Sequence, residues 1–167
     1  MQCSREGGAV NHLALAGLLD DATALSSDHL SLTVGIDRVE LEAFEHLLQS
    51  SGDGFLAEVY TSDELAYCAG RVEHLAARIC AKEAALKALG TGIRGVALAE
   101  VEVVHAANGQ PDLVLRERAA ARAAVLHIVS LAVSMTHTKV AAEAVVVALL
   151  NTRSNDLDDI ERRAIDG

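Results

Sequence analysis

The feature that most constrains this chain is a change of hydrophobic period near residue 95. Before that point the apolar residues recur mainly at helical spacing, and after it they alternate or run together as strands do. Leu32-Thr33-Val34-Gly35-Ile36 reads as an early strand, and Asp37-Arg38-Val39-Glu40 then opens an amphipathic helix with Val39, Leu41, Phe44, Leu47 and Leu48 on one face. Ser50 to Gly54 reads as a loop. Thr61-Ser62-Asp63-Glu64 has the spacing of a capping box and predicts a second helix. An Ala-rich helix follows through Arg78–Leu89. The later half pairs Val101–Val104 with Asp112–Leu115 across Asn108-Gly109-Gln110-Pro111, a hairpin turn holding the only proline. A helix near 117–126 then precedes a second strand pair, Ile128–Met135 and Ala141–Leu149. Helices first and antiparallel strands later predict a single α+β domain.

The chain has 167 residues, enough for one domain with a real core and short for two. Half of the residues are apolar but only 2% are aromatic, so Ala, Val and Leu must fill that core. The net charge of −10 argues against nucleic acid or anionic lipid as a non-specific partner. Cys3, Cys68 and Cys80 form no CxxC and read as reduced thiols of a cytoplasmic protein. The apolar run His12–Leu19 is too short to span a bilayer. Ala22-Thr23-Ala24 imitates a signal cleavage site, but Asp20 and Asp21 precede it and no signal peptide is read. Residues 1–32 read as an extension with one short helix near 10–19, residues 33–150 as the domain, and residues 151–167 as a polar, mobile tail.

Three places could carry chemistry, and each has a plain structural alternative. Glu83 and Lys87 share a helix face one turn apart, either as a surface ion pair or as a carboxylate for a divalent cation beside an ammonium for a phosphate. Gly90 is either a C-cap glycine or, with Gly92, part of a turn that brings backbone close to a ligand. Asp37 is either the N-cap of the helix after it or a metal ligand held where a strand feeds a helix. Ser134-Met135-Thr136-His137-Thr138-Lys139, between the last two strands, is either a polar hairpin or a grip for anions.

Taken in order, these segments have one close likeness. Val34-Gly35-Ile36-Asp37, the block Ala77-Arg78-Ile79-Cys80-Ala81-Lys82-Glu83-Ala84-Ala85-Leu86-Lys87-Ala88-Leu89-Gly90-Thr91-Gly92-Ile93, the Asn108-Gly109-Gln110-Pro111 turn and the Thr136-His137-Thr138-Lys139 turn resemble the short 4′-phosphopantetheinyl transferases, the holo-acyl-carrier-protein synthases. The resemblance covers residues 33–149. It implies a long central helix packed on antiparallel strands, and transfer of phosphopantetheine from coenzyme A to a serine of an apo-acyl-carrier protein, releasing adenosine 3′,5′-bisphosphate, in fatty acid or polyketide biosynthesis. It implies Asp37 and Glu83 as Mg²⁺ ligands, Glu83 as the base for the serine proton, and Lys87 on the diphosphate. It further implies Arg78, Gly90, Asn108, Gly109, Pro111, His137 and Thr138 around coenzyme A, and a homotrimer with a site at each subunit boundary.

The sequence departs from the family at several positions. Ala77, Ile79, Gln110 and Ala141 stand where a glycine, an aromatic, a lysine and an aromatic are usual. The helix after Asp37, basic in many relatives that dock an acidic carrier, here has Arg38 followed by Glu40, Glu42 and Glu45. Two acidic surfaces repel at low salt, so either the carrier differs or docking moves to Arg71, Arg94 and neighbours. The alternative function is a coenzyme-A-binding or scaffold protein that keeps the fold without efficient transfer.

Overall fold

The computed structural model describes residues 30–92, 95–106 and 109–151. The helix read near 10–19 and the tail after Asn151 lie outside the described residues. The described chain runs β1 (Leu30–Glu40), α1 (Leu41–Val59), α2 (Ser62–Cys68), α3 (Val72–Ala88), a 3-10 turn at Leu98–Glu100, β2 (Val101–His105), β3 (Pro111–Leu115), α4 (Glu117–Val125), β4 (Ile128–His137) and β5 (Ala141–Asn151). Two antiparallel sheets result: one of three strands in the order β1-β5-β4, and the β2-β3 hairpin. The architecture is α+β, with α3 lying on the inner face of the three-stranded sheet.

Small side chains set how close that helix comes. Eleven of the 17 residues of α3 are buried, including Ala76, Ala77, Ala81, Ala84, Ala85 and Ala88. Beneath them β5 offers Ala142, Ala144, Val146 and Ala148. At Gly35 the contact is closest: a Cβ there would stand 1.8 Å from the Ala84 carbonyl oxygen. The alternation read across Val34-Gly35-Ile36 therefore turns on a glycine required by close approach rather than by turn formation. Two residues before it, the Thr33 hydroxyl donates to the Ala88 carbonyl at 2.8 Å, tying β1 to the end of α3. This Ala-on-Ala interface is how a core with so few aromatic rings reaches interior density.

Several sequence boundaries shift. β1 continues through Asp37 to Glu40, with Asp37 opposite Ala144 and Glu40 opposite Ala141. Asp37 is thus a strand residue, and α1 starts at Leu41 with no side-chain cap. The competing pull is ladder pairing to β5, which satisfies the backbone that an Asp cap would otherwise serve. Ser50–Gly54 is helix, not loop: α1 runs on to place Phe55, Leu56 and Val59 against the core. Tertiary burial overrides the local turn preference of Gly and Ser. α3 begins at Val72, six residues ahead of Arg78. The capping box at Thr61 is present in both directions, with Thr61 Oγ1 accepting from the Glu64 amide and Glu64 Oε2 accepting from the Thr61 amide.

Candidate functional site

At the end of α3 the chain stops as its glycines predict. Gly90 takes a left-handed φ of 64°, its amide donates to Lys87, and the Thr91 amide donates back to Leu86, the paired bonds of a Schellman motif. Arg122 of α4 caps a further carbonyl, that of Leu89, at 3.0 Å. One turn inside this cap stand Lys87 and Glu83. Lys87 Nζ donates to Asp37 Oδ1 and to the Ile36 carbonyl, each at 2.8 Å. The neighbouring Asp37 carboxylate holds the Lys87 ammonium above its ordinary pKa. Glu83 is pushed above the usual carboxylate range, first by burial and then by the charge of Asp37, with Lys87 opposing. The charges of Asp37 and Lys87 therefore both act on Glu83, in opposite senses. Below them the Cys80 thiol donates to the Ala142 carbonyl, and burial, with Asp37 nearby, pushes it up to about 12. That thiol is a packed group, not a nucleophile.

The neighbouring lysine of the motif serves a different end. Lys82 is fully buried and donates to Glu64 Oε2 at 2.8 Å and to the carbonyls of Val101 and Leu98 at 2.5 and 3.2 Å. Burial lowers its pKa and Glu64 opposes. Glu64 Oε1 accepts in turn from the Val103 amide, while Glu102 joins Thr61 to Arg116. Lys82 is thus the tie between α3, α2 and the β2-β3 hairpin.

On the other flank of α3 a cavity of about 240 Å³ is lined by Tyr67, His74, Ala77, Arg78, His105, Pro111, Met135 and His137. The Arg78 guanidinium is 2% exposed and lies 4.3 Å from the Tyr67 ring centre. Its Nη1 donates to the His74 carbonyl, while Nε and Nη2 have no hydrogen-bond partner among the described residues. Tyr67 stacks on His105 with ring centres 4.4 Å apart, and His74 approaches His137 at 5.3 Å. Pro111, His137 and Arg78 of the sequence reading meet here. Thr138 does not: its hydroxyl accepts from the Val140 and Ala141 amides, so it builds the β4–β5 turn. Gly109 has φ 82° in the hairpin turn. Asn108, with Ile93 and Arg94, lies outside the described residues.

Sequence reading did not single out Tyr67, His74 or His105. His74 could have been found, because it sits four residues before Arg78 and so on the same helix face. Tyr67 and His105 come from α2 and β2, and only the fold brings them in.

The two clusters occupy opposite sides of α3. Asp37, Ala144 and Met135 form one row across β1, β5 and β4, and residues directly opposite in a sheet share a face. Two strand spacings separate Asp37 from Met135, about 10 Å, with α3 above the middle strand. Around α3 itself, Arg78 and Glu83 are five residues apart, roughly 140° of turn.

A model of the 4′-phosphopantetheinyl transferase superfamily matches residues 33–148. The chain is 46% identical over 130 residues to the holo-[acyl-carrier-protein] synthase of Chloroflexus aurantiacus, covering 68% of this chain and 95% of that protein. Among solved structures it is similar to holo-[acyl-carrier-protein] synthase from Neisseria meningitidis, with 32% identity, a TM-score of 0.65 and coverage of 70% and 96% of the two chains. It is likewise similar to the ACPS–CoA complex of Chronobacterium ammoniagenes, with 32% identity, a TM-score of 0.63 and coverage of 74% and 99%.

Proposed function

The chain belongs to the 4′-phosphopantetheinyl transferase superfamily, and on that premise we propose that it transfers 4′-phosphopantetheine from coenzyme A to a serine of an apo-acyl-carrier protein, releasing adenosine 3′,5′-bisphosphate. The observation that carries the reading is the meeting of Asp37, Glu83 and Lys87 at one point between β1 and α3. The serine oxygen bonds to the phosphorus that bears pantetheine, the bond from that phosphorus to the nucleotide phosphate oxygen breaks, and the serine proton goes to Glu83. A carboxylate held above the usual range is suited to that proton. Lys87, half exposed, turns its ammonium to the leaving phosphate and stabilises the charge that forms there.

The donor set fits Mg²⁺. Two carboxylates repel in a half-buried site, and Asp37 and Glu83 would hold the ion, with substrate oxygens and water completing its shell. When bound it neutralises diphosphate charge. Among the described residues no group of three or more His, Cys, Asp or Glu forms a metal cluster. Arg78, Pro111 and His137 would hold the nucleotide end in the cavity, and Gly90, Asn108, Gly109 and Thr138 would contact coenzyme A elsewhere along its length.

The assembly we assign is a homotrimer. Leu32, Val34 and Ile36 on the outer face of β1 are 55–64% exposed and continue into Leu149, Val147 and Val145 opposite them on β5. An apolar sheet face of this kind calls for a partner. Because the carboxylate cluster and the cavity flank opposite sides of α3, a subunit boundary would set one chain's carboxylates against its neighbour's cavity. Residues 33–150 form the transferase domain on this reading. No described helix is long and apolar enough to cross a membrane, and the reduced-thiol reading supports the cytoplasm.

The carrier is the least typical part. Arg38 is neutralised by Glu40 and Glu143, so the start of α1 presents exposed Glu42 and Glu45. Arg71 gives its Nε and one Nη2 donor to the Cys68 and Tyr67 carbonyls. The carrier surface that fits is less acidic than usual. The acidic helix is also what favours the second reading, a coenzyme A binder without efficient transfer. Intact-mass spectrometry of candidate apo-carriers, incubated with the protein, coenzyme A and Mg²⁺ with and without EDTA, separates them. A metal-dependent gain of one phosphopantetheine is expected; coenzyme-A-dependent thermal stabilisation with no gain on any carrier would give the second reading.

A further inference from the structure

A helix leaves its last carbonyls without amide partners of its own. In α3 the closing carbonyls are those of Leu86, Lys87, Ala88 and Leu89. The Thr91 and Gly90 amides take the first two. Side chains from two other elements take the rest: Thr33 Oγ1 of β1 donates to Ala88 at 2.8 Å, and Arg122 Nε of α4 donates to Leu89 at 3.0 Å. Arg122 Nη2 also lies 3.6 Å from where a Cβ on Gly90 would stand, so the guanidinium covers the glycine stop. The glycine turn is enough to end the helix. The two side chains do something else: they tie that end to a strand and to a second helix.

The residue next to these two bonds is Lys87. Its side chain is half exposed, so its reach is set by where the backbone of α3 is anchored. Thr33, Gly35 and Asp37 alternate along β1 and share the face toward α3. Gly35 admits the Ala84 carbonyl and sets how close the helix lies. An interface of Gly and Ala has shallow ridges, however, and fixes position along the strand only weakly. The bond from Thr33 supplies that register, on the same face as the Asp37 that Lys87 meets at 2.8 Å. A misplacement of about 1 Å at a reacting group can cost on the order of 10²-fold in rate. We infer that Thr33 and Arg122 are positioning residues: they lock the end of α3 in register with β1 and α4, and thereby place the Lys87 ammonium beside Asp37 and the reacting phosphate. The consequence for rate rests on the transfer reading; the register itself does not.

The test is steady-state transfer to an apo-carrier by Thr33→Val and Arg122→Met, each assayed well below its melting temperature. Valine keeps the shape of threonine and loses the donor. Each variant is expected to lower kcat about 5–20-fold, part of the loss that a full displacement brings, with KM for coenzyme A changed by less than about twofold. Thr33→Ser should restore most of kcat, and Arg122→Lys part of it. Action through Lys87 makes a further demand: in a Lys87→Met background, Thr33→Val should cost less than about twofold, because the group it places is gone. A merely structural bond would lower stability and leave kcat per folded molecule unchanged. Unchanged kcat in both variants, or the same fold-loss with and without Lys87, would overturn the positioning role and leave transfer standing. Should Arg122→Met fold poorly, Thr33→Val and its serine counterpart decide the matter alone. An unaltered protein that modifies no carrier would remove the transfer reading and this role with it.

Discussion

Lys82 and Lys87 lie five residues apart in one helix, and each pairs with a carboxylate from another element. Lys82–Glu64 is dry: both side chains are 0–1% exposed, and Lys82 reaches two further carbonyls. Lys87–Asp37 is wet, at 50% and 21% exposure. The helix turns through roughly 140° between them, which is enough to send one ammonium into the core and the other to the edge of the sheet. The dry pair has every acceptor and donor used and so has nothing left to offer a ligand. The wet pair holds a competing carboxylate, Glu83, and can exchange partners. On the proposed function, chemistry belongs to the incompletely satisfied pair.

That contrast can be broken by experiment. Lys82→Met should be the most damaging change, because it leaves Glu64 buried and unpaired at a cost of about 3–5 kcal/mol. A large fall in denaturation midpoint checks it, and a loss under 1 kcal/mol would mean that the buried pair is dispensable. Gly35→Ala should follow closely, since the new methyl meets the Ala84 carbonyl and overpacking costs about 1–3 kcal/mol or more. Lys87→Met should scarcely alter stability, by about 0–1 kcal/mol as for exposed pairs. Its kcat should nevertheless fall about 10²–10³-fold, as when a charge-stabilising donor is removed. A stability loss matching that of Lys82 would erase the distinction.

Glu83→Gln sharpens the comparison in the opposite sense. It should abolish carrier modification and yet raise the melting temperature. The folded-state pKa of Glu83 is raised above its unfolded value, so ionisation works against the fold in full above the folded value, and that penalty is lost as pH falls from the folded value through the unfolded one. The gain from Gln should be seen at pH 7.5 and fade toward pH 4. The smallest effect concerns the carrier: with a strongly acidic carrier, kcat/KM should rise modestly with salt as repulsion from Glu42 and Glu45 is screened. A fall with salt would move docking away from α1.

Much of this molecule was legible in the sequence. The capping box at Thr61 and Glu64, the glycine stop at Gly90, the β2-β3 hairpin and the last strand pair are local signals, set by backbone chemistry within a few residues of themselves. So was the family, because the Lys82–Ile93 block and the Thr136–Lys139 turn are contiguous. Asp37 as a cap and the loop at Ser50–Gly54 failed for one reason: each local preference was outweighed by pairing or burial against residues more than thirty positions away. Which of the two lysines stays wet falls between these cases. The chain order marks both Lys82 and Lys87 as motif residues, and helical spacing separates their directions, but which direction is dry depends on where β1 and the β2-β3 hairpin pack. In the cavity, helical spacing relates His74 to Arg78, but its closure by His105 and His137 belongs to the tertiary structure, since no periodicity within α3 records β2 or β4. Local sequence sets conformation and spacing; dielectric environment and the company of distant charges are set only when the elements close on one another.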